Sequence, residues 1–162
     1  MSKKTINAVI GVCYEGDKTL YVKRSKHMEN YPNAWSLFSI QFEPENLPDF
    51  LDLTAVQSLM THMSEQRLSG IDVKVLQYIS STTCTKNPID AIVNLHLYRI
   101  DFMEELILNP PYYSESSWMT PTQYLKKRGD GLCGSCMRMW SDYSVKAGLS
   151  DTRFAPMIDD DE

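Results

Sequence analysis

Three glutamates and one histidine of this chain have the types and the spacing that could hold a metal ion or transfer a proton. His62 and Glu65 lie three residues apart in a segment with helical periodicity, which places both side chains on one helix face. Glu43 and Glu45 lie in the loop leading toward that helix. Such a group suits general acid–base chemistry or a divalent cation, with Glu43 the first catalytic candidate and Glu65 the second. The alternative is a solvated helix face beside a charged loop.

Cys133 and Cys136 form a Cys-x-x-Cys motif, a spacing found in redox-active and zinc-binding sites. A zinc site needs two more ligands, and Cys13 and Cys84 would have to arrive from separate predicted strands. A thioredoxin-like motif is expected directly after a strand near the start of its fold, whereas this one lies near the end of the chain. We therefore expect reduced thiols at a helix start and no bound metal.

Another set of side chains could bind a phosphorylated or flat ligand. Arg24 offers a planar fork of donors for a phosphate, with Lys23 and Lys26 beside it and His27 next. The aromatic side chains that could stack on a flat ring are Tyr31, Trp35, Tyr78, Tyr112, Tyr113 and Trp118. The alternatives are a charged strand end for the basic residues and core packing for the aromatic ones.

These candidates must be positioned by strands and helices that the residue pattern predicts. A hairpin is predicted from residues 6–14 and 19–24, which flank turn-forming residues. Alternating apolar side chains predict one strand over residues 35–42. Residues 48–69 carry apolar side chains at spacings of three and four, and Gly70 follows, which predicts the main helix.

The second half of the chain predicts two further strands and two helices. Residues 71–79 and 92–102 are rich in β-branched side chains and are expected to pair antiparallel. A Thr-Pro N-cap signal predicts a short helix over residues 120–127. An amphipathic helix is predicted over residues 135–146.

Composition and charge indicate one folded domain. The chain has 162 residues, of which 43% are hydrophobic and 23% are charged. Five acidic residues and one arginine give the last 12 residues a charge of −4 out of a net −5. No basic stripe indicates a nucleic-acid partner, and no apolar run is long enough for a membrane span. We expect a cytoplasmic single domain over residues 1–150 and an acidic, mobile tail over residues 151–162.

The order of these elements, with particular residues in three of them, resembles the Nudix fold, an α/β/α sandwich around a mixed β-sheet. Residues 20–27, LYVKRSKH, are similar to the second strand of that family. Residues 35–44, WSLFSIQFEP, lie where the family has a tryptophan followed by Pro-Gly-Gly and a glutamate-containing turn. Residues 117–121, SWMTP, are similar to a late tryptophan element before the final helices. The resemblance spans about residues 6–128.

The family signature is the box G-x5-E-x7-R-E-U-x-E-E-x-G-U, in which U is a bulky aliphatic residue. Its glutamates hold Mg²⁺ or Mn²⁺ against a diphosphate and activate water. If the box ends at Gly70, its Arg-Glu pair and its paired glutamates fall on Met63, Ser64, Arg67 and Leu68. If it begins at Ile40, its glutamates fall on Asn46, Ala55, Ser58 and Leu59. Neither alignment restores the acidic cluster, and Ser39 and Ile40 replace the paired glycines, so the resemblance implies the fold more than hydrolysis.

We therefore predict a Nudix-like domain with an eroded box that binds a nucleotide or another phosphorylated or flat small molecule, without a cofactor. The pocket is expected between the 35–42 strand, the 48–69 helix and the loop of Tyr112, Tyr113 and Trp118. One alternative is an active hydrolase of nucleoside diphosphate derivatives that holds Mg²⁺ or Mn²⁺ through Glu43, Glu45 and Glu65. Another is an interaction or regulatory module without a ligand. The oligomeric state is left open.

Overall fold

Seven strands and three helices lie in the residues that the computed structural model describes, which are 4–28, 32–42, 52–85, 90–127 and 134–154. In chain order the elements are β1 Thr5–Glu15, β2 Lys18–Arg24, β3 Trp35–Ser36, β4 Phe38–Phe42, α1 Leu53–Arg67, β5 Val73–Cys84, β6 Ile92–Phe102, β7 Tyr113–Met119, α2 Pro121–Lys127 and α3 Gly134–Lys146. The predicted hairpin, the β5–β6 pair and the two C-terminal helices are confirmed.

Strand β1 is the centre of the sheet, as expected of an apolar segment buried on both faces. It pairs parallel with β6 over Thr5–Val12, antiparallel with β4 over Asn7–Gly11, and antiparallel with β2 over Cys13–Glu15. The sheet order is β3-β2-β1-β6-β5, with β7 on β2 and β4 on β1. The sheet is therefore mixed.

The predicted 35–42 strand is in fact two strands with different neighbours. β3 pairs with β2, whereas β4 pairs with β1, and fully buried Leu37 lies between them. The alternation of apolar side chains shows which side chains face the core. It carries no information on which strand lies alongside, so the change of partner at Leu37 was invisible in the sequence.

Helix α1 begins five residues later and ends two residues earlier than predicted. The Asp52 carboxylate accepts a hydrogen bond from Ala55 N at 2.8 Å, which makes Asp52 the N-cap and Leu53 the first helical residue. At the other end Gly70 N donates to Ser64 O at 2.8 Å. Gly70 has a φ of 78°, a left-handed conformation that ends helices and suits glycine.

The helices cover both faces of the sheet and create two core clusters. α1 packs on one face, where Met60 and Met63 are fully buried against Ile100 and Tyr113. A Cβ at Gly11 of β1 would lie 2.6 Å from Ile100 Cδ1 and 3.1 Å from Met60 Sδ, so glycine lets these layers approach. Residues of α2 and α3 fill the other cluster, with Tyr124 and Trp140 among the largest buried side chains. No helix of the described ranges is long and apolar enough to cross a membrane.

The prediction that nothing after Asp151 joins the core is wrong at Phe154. Its side chain is 1% exposed and contacts the Tyr124 ring at a centroid distance of 6.1 Å. Its backbone N–H donates to the Ser141 hydroxyl at 2.9 Å. A single aromatic residue in an acidic segment has no periodicity, so the sequence pattern could not identify it as a core residue. The rest of the predicted tail, 155–162, lies outside the described residues.

Replacing Phe154 by alanine is expected to lower the free energy of unfolding by about 3–5 kcal/mol, because it removes a fully buried ring and leaves a cavity. Urea titration followed by circular dichroism measures the change. The matched control is Arg153→Ala, which removes an exposed ion pair to Asp142 at 3.2 Å and should cost less than about 1 kcal/mol. Equal midpoints for F154A and the unmodified protein would contradict the docking of Phe154.

Candidate functional site

The last turn of α1 places Arg67 against strand β4 and the segment before β7. Arg67 Nη1 donates to Ser39 O at 2.9 Å, and the same nitrogen lies 3.3 Å from the Tyr113 hydroxyl oxygen. The guanidinium carbon lies 5.1 Å from the centre of the Tyr112 ring and 5.8 Å from that of Tyr113, within the range of a cation–π contact. The Arg67 guanidinium of α1 thus contacts both β4 and the two tyrosine rings.

The segment that carries the two tyrosines is tied to the end of α1. Asn109 N donates to Arg67 O at 2.8 Å, and the Asn109 side-chain amide donates to Gln66 O at 2.6 Å. These bonds satisfy carbonyl groups that a helix end leaves without intrahelical partners. Asn109 O in turn accepts from Tyr112 N at 2.9 Å and Tyr113 N at 3.1 Å. The two rings are therefore held beside Arg67 by main-chain hydrogen bonds.

Tyr113 links two parts of the sheet. It lies opposite Arg24 in the β2–β7 register, and its buried hydroxyl oxygen accepts from Ser39 N of β4 at 3.3 Å. Ser39 thus uses its N–H on Tyr113 and its carbonyl on Arg67. Side chains, and not another strand, satisfy both main-chain groups of this residue.

Among the described residues, the charge at this site is positive. No carboxylate of the described residues forms an ion pair with Arg67. Its Nε is buried and has no hydrogen-bond partner among them. Arg67 therefore contributes a positive charge to the site.

The family box assigns glutamate to two further positions, one in α1 and one directly after it. In this chain both side chains point into the core. The Ser64 side chain is buried, and its hydroxyl donates to Ile71 O. Leu68 is fully buried in the cluster beneath α1. Neither position presents a ligand to the surface where Arg67 lies.

Of the two predicted catalytic glutamates, only Glu65 lies among the described residues. Glu65 is exposed, with 65% of its side chain accessible, and its Oε1 lies 3.9 Å from Nδ1 of the equally exposed His62. This placement matches the solvated helix face that was the alternative. Glu43 and Glu45 lie outside the described residues. Within the described ranges, no three His, Cys, Asp or Glu side chains are arranged to hold a metal ion.

The five predicted ligand-binding residues do not all lie on one face of the sheet. Arg24, Tyr112 and Tyr113 lie close together, because Ser25 N donates to Tyr112 O at 2.9 Å and Arg24 pairs with Tyr113. Trp35 is buried in the core cluster on the opposite side, with the Lys127 ammonium 5.3 Å from its ring centre. Trp118 is 44% exposed on β7, opposite Leu20. Trp35 therefore lies on the other face of the sheet from the two tyrosines.

The remaining predicted groups are structural or lie outside the described ranges. Lys23 pairs with Glu115 at 3.9 Å, as a charged strand end would. Cys13, Cys84 and Cys136 are buried thiols, and burial raises the pKa of Cys13 to about 12, which keeps this thiol protonated at neutral pH. Cys133 is not among the described residues.

Sequence reasoning missed the role of Arg67, Ser39 and Asn109. Arg67 was noted only as a position without glutamate, although a basic side chain in the last turn of a helix can bind backbone carbonyls nearby. Ser39 was noted only as a replacement for glycine. Asn109 precedes two prolines, a signal for a loop but not for a contact to α1.

Comparison of the fold with solved structures finds proteins of very different sequence, among them Nudix hydrolases. A Nudix hydrolase from Nitrosomonas europaea has a TM-score of 0.66 at 13% identity, over 90% of this chain and 91% of that one. The ORF135 protein of E. coli has a TM-score of 0.58 at 18% identity, over 90% of this chain and 94% of that one. A MutT Nudix hydrolase from Burkholderia pseudomallei has a TM-score of 0.57 at 12% identity, over 75% and 87%.

These similarities show the fold. No protein-family model matches the sequence, and no curated protein matches it. The chain has a Nudix-like fold, an α/β/α sandwich around a mixed sheet, as the sequence predicted.

The Tyr113 hydroxyl should contribute measurably to stability. Tyr113→Phe leaves Ser39 N without its acceptor in a partly buried place, which is expected to cost about 1–3 kcal/mol in the free energy of unfolding. The control is Tyr112→Phe, since the Tyr112 hydroxyl has no hydrogen bond within the described structure, and it should change stability by less than about 0.5 kcal/mol. Urea titration of both variants measures the difference, and equal midpoints would contradict this role.

Proposed function

We propose that this Nudix-like domain binds a nucleotide or another phosphorylated, flat small molecule beside Arg67, Tyr112 and Tyr113, and does not hydrolyse it. The observation that carries the proposal is the position of Arg67. With the box aligned to Gly70, this residue falls where the family resemblance implies a metal-binding glutamate. Its guanidinium contacts the carbonyl of Ser39, where the resemblance implies the paired glycines.

A permanent cation at this place supports binding of a phosphate. In the family, according to the resemblance, carboxylates attract divalent cations and the cations attract the diphosphate. Arg67 supplies a positive charge directly, with a planar donor group that matches phosphate oxygens. Arg67 is half-buried, so part of its side chain remains accessible to a ligand. Binding would then need no metal.

The tyrosine rings beside Arg67 suit a ligand that has a flat ring. Tyr112 is half-buried, while Tyr113 is fully buried and holds Ser39. The Tyr112 ring is thus the member of the pair that a ligand can reach. Aromatic rings stack on nucleobases with little dependence on base identity. A nucleoside phosphate combines the two chemical groups that Arg67 and Tyr112 select.

The same geometry argues against hydrolysis. Activation of water by divalent cations needs several carboxylate oxygens at one point. Ser64 and Leu68 are buried, and Arg67 would repel a metal ion. The rival hydrolase would depend on Glu43, Glu45 and Glu65, of which Glu65 is exposed beside His62.

Binding can be tested by calorimetry with nucleoside diphosphates and nucleoside diphosphate sugars in the presence of EDTA. The expected result is binding that EDTA does not weaken, and a loss of affinity of about tenfold or more in Arg67→Gln, because a charged hydrogen bond is removed. Arg67→Lys keeps the positive charge but loses the planar arrangement of donors. Its affinity should therefore lie between those of the unmodified protein and Arg67→Gln. The matched control is Arg99→Gln, since Arg99 also stacks on a tyrosine and donates to a carbonyl, but on β6.

Measurements of turnover distinguish binding without hydrolysis from an active hydrolase. With Mg²⁺ or Mn²⁺, we expect no phosphate release from nucleoside triphosphates, nucleoside diphosphate sugars or dinucleoside polyphosphates above a control without protein. Metal-dependent activity that disappears in Glu43→Gln or Glu65→Gln would contradict the proposal and support the hydrolase. The absence of both binding and turnover would also contradict the proposal, and it would support an interaction module.

A further inference from the structure

Three hydrogen-bonded side chains form a row across strands β5 and β6. The Tyr78 hydroxyl oxygen lies 2.9 Å from Ser81 Oγ, and Ser81 Oγ lies 2.8 Å from His96 Nδ1. Ser81 and His96 are directly opposite each other in the β5–β6 register. A serine hydroxyl within hydrogen-bond distance of an imidazole is the pairing that activates serine as a nucleophile.

A β-bulge brings Tyr78 and Ser81 together. In a regular strand, side chains three residues apart point to opposite faces. The register of β5 shifts between Tyr78 and Ser80, so Ile79 is an extra residue on this strand. The extra residue returns Tyr78 and Ser81 to one face, where their hydroxyl groups are bonded. Bulges are common beside active sites because they re-aim a side chain in this way.

This row is separate from the Arg67 site. His96 lies two residues before Tyr98, which belongs to the cluster beneath α1, so both side chains face the α1 side of the sheet. Burial raises the pKa of Tyr98, and the nearby charges of Tyr78 and Asp52 raise it further. The start of α1 is therefore beside this part of the sheet. Arg67 lies at the other end of the helix, about 22 Å from Asp52 along its axis.

His96 is suited to accept the proton of Ser81. The histidine is half-buried, and burial lowers its pKa below the ordinary value. The imidazole is therefore neutral at pH 7, with one ring nitrogen free of a proton. A phenol is a stronger acid than an aliphatic alcohol. Tyr78 thus donates its hydrogen bond to Ser81 Oγ, and Ser81 donates to His96 Nδ1.

The surroundings of the row suit an apolar acyl group. Ser81 is exposed, so a substrate can reach its hydroxyl. Three aromatic rings lie nearby: the Tyr78 ring is 5.3 Å from that of Tyr98, and the Phe42 ring is 6.4 Å from that of His96, all measured between ring centres. A short aliphatic or aromatic group could pack against these rings.

We propose that Ser81 is a nucleophile toward small activated esters, with His96 as its general base and Tyr78 as a positioning residue. Ser81 Oγ attacks the carbonyl carbon while its proton passes to His96 Nδ1. The alcohol of the ester leaves with that proton, and an acyl-Ser81 forms. Water then attacks the acyl carbon and gives a proton, through His96, to Ser81 Oγ, and the carboxylic acid leaves. This activity is independent of the ligand binding proposed at Arg67.

The test incubates the full chain with p-nitrophenyl acetate, follows the release of p-nitrophenol, and locates acetyl groups by mass spectrometry. We expect an acetyl group on Ser81 of the unmodified protein. His96→Gln should slow this acetylation by about tenfold or more, because it removes the general base. Acetyl groups confined to lysine or tyrosine side chains would overturn the proposal, and this result needs no variant that must fold. Equal acetylation of Ser81 in H96Q would also overturn it.

The matched control is Thr83→Val. Thr83 is on the same strand, but its hydroxyl donates to the side-chain amide oxygen of Asn94 at 2.8 Å, and an amide is not a base at neutral pH. Acetylation of Ser81 should therefore be unchanged in T83V, and a loss equal to that in H96Q would overturn the proposal.

A further variant tests the role of Tyr78. Tyr78→Phe keeps the ring and removes the hydroxyl that holds Ser81 Oγ. Acetylation of Ser81 should slow by about threefold or more at an unchanged thermal midpoint, because the nucleophile is less well oriented. An unchanged rate in Y78F would overturn the positioning role.

Discussion

One edge of strand β1 is shared by two neighbours, and the candidate site depends on this constraint. β4 occupies the edge over Asn7–Gly11 and β2 occupies it over Cys13–Glu15. A strand edge can pair with only one neighbour at each point, so β2 and β4 must separate near Val12. Ser39 lies on the β4 side of the opening between β2 and β4. Tyr113 lies on the other side, because it belongs to β7, which pairs with β2. The Tyr113 hydroxyl and the Arg67 guanidinium connect the two sides.

The opening leaves main-chain groups that must be satisfied in another way. Ser39 N and Ser39 O are bonded by side chains, and leaving either buried group without a partner would cost about 1–3 kcal/mol. Arg67 is therefore also part of what stabilises the fold. A carboxylate at position 67 would face the Ser39 carbonyl oxygen and repel it. Proper folding and a positive charge at this position are thus coupled in this chain.

The sequence predicted what local rules determine. The β1–β2 hairpin, the α2 cap at Thr120 and the end of α1 at Gly70 each follow from a few adjacent residues. What it missed depends on distant partners. Trp35 has the same type and pattern as a ligand-stacking residue, yet its position on the α3 side buries it. The reach of Arg67 across to Ser39 joins residues that are 28 positions apart, and no periodicity encodes such a contact.

The proposed loss of hydrolysis does not depend on one substitution. A divalent cation polarises water and lowers its pKa, whereas a guanidinium can stabilise a phosphate but cannot generate a nucleophile. Changing Arg67 to glutamate alone would not rebuild a metal site, because the Ser64 hydroxyl is committed to Ile71 O and Leu68 fills the core beneath α1. A carboxylate at either buried position would have to break that packing before it could reach a metal. The core of this Nudix-like domain therefore does not accommodate metal-binding carboxylates at positions 64 and 68.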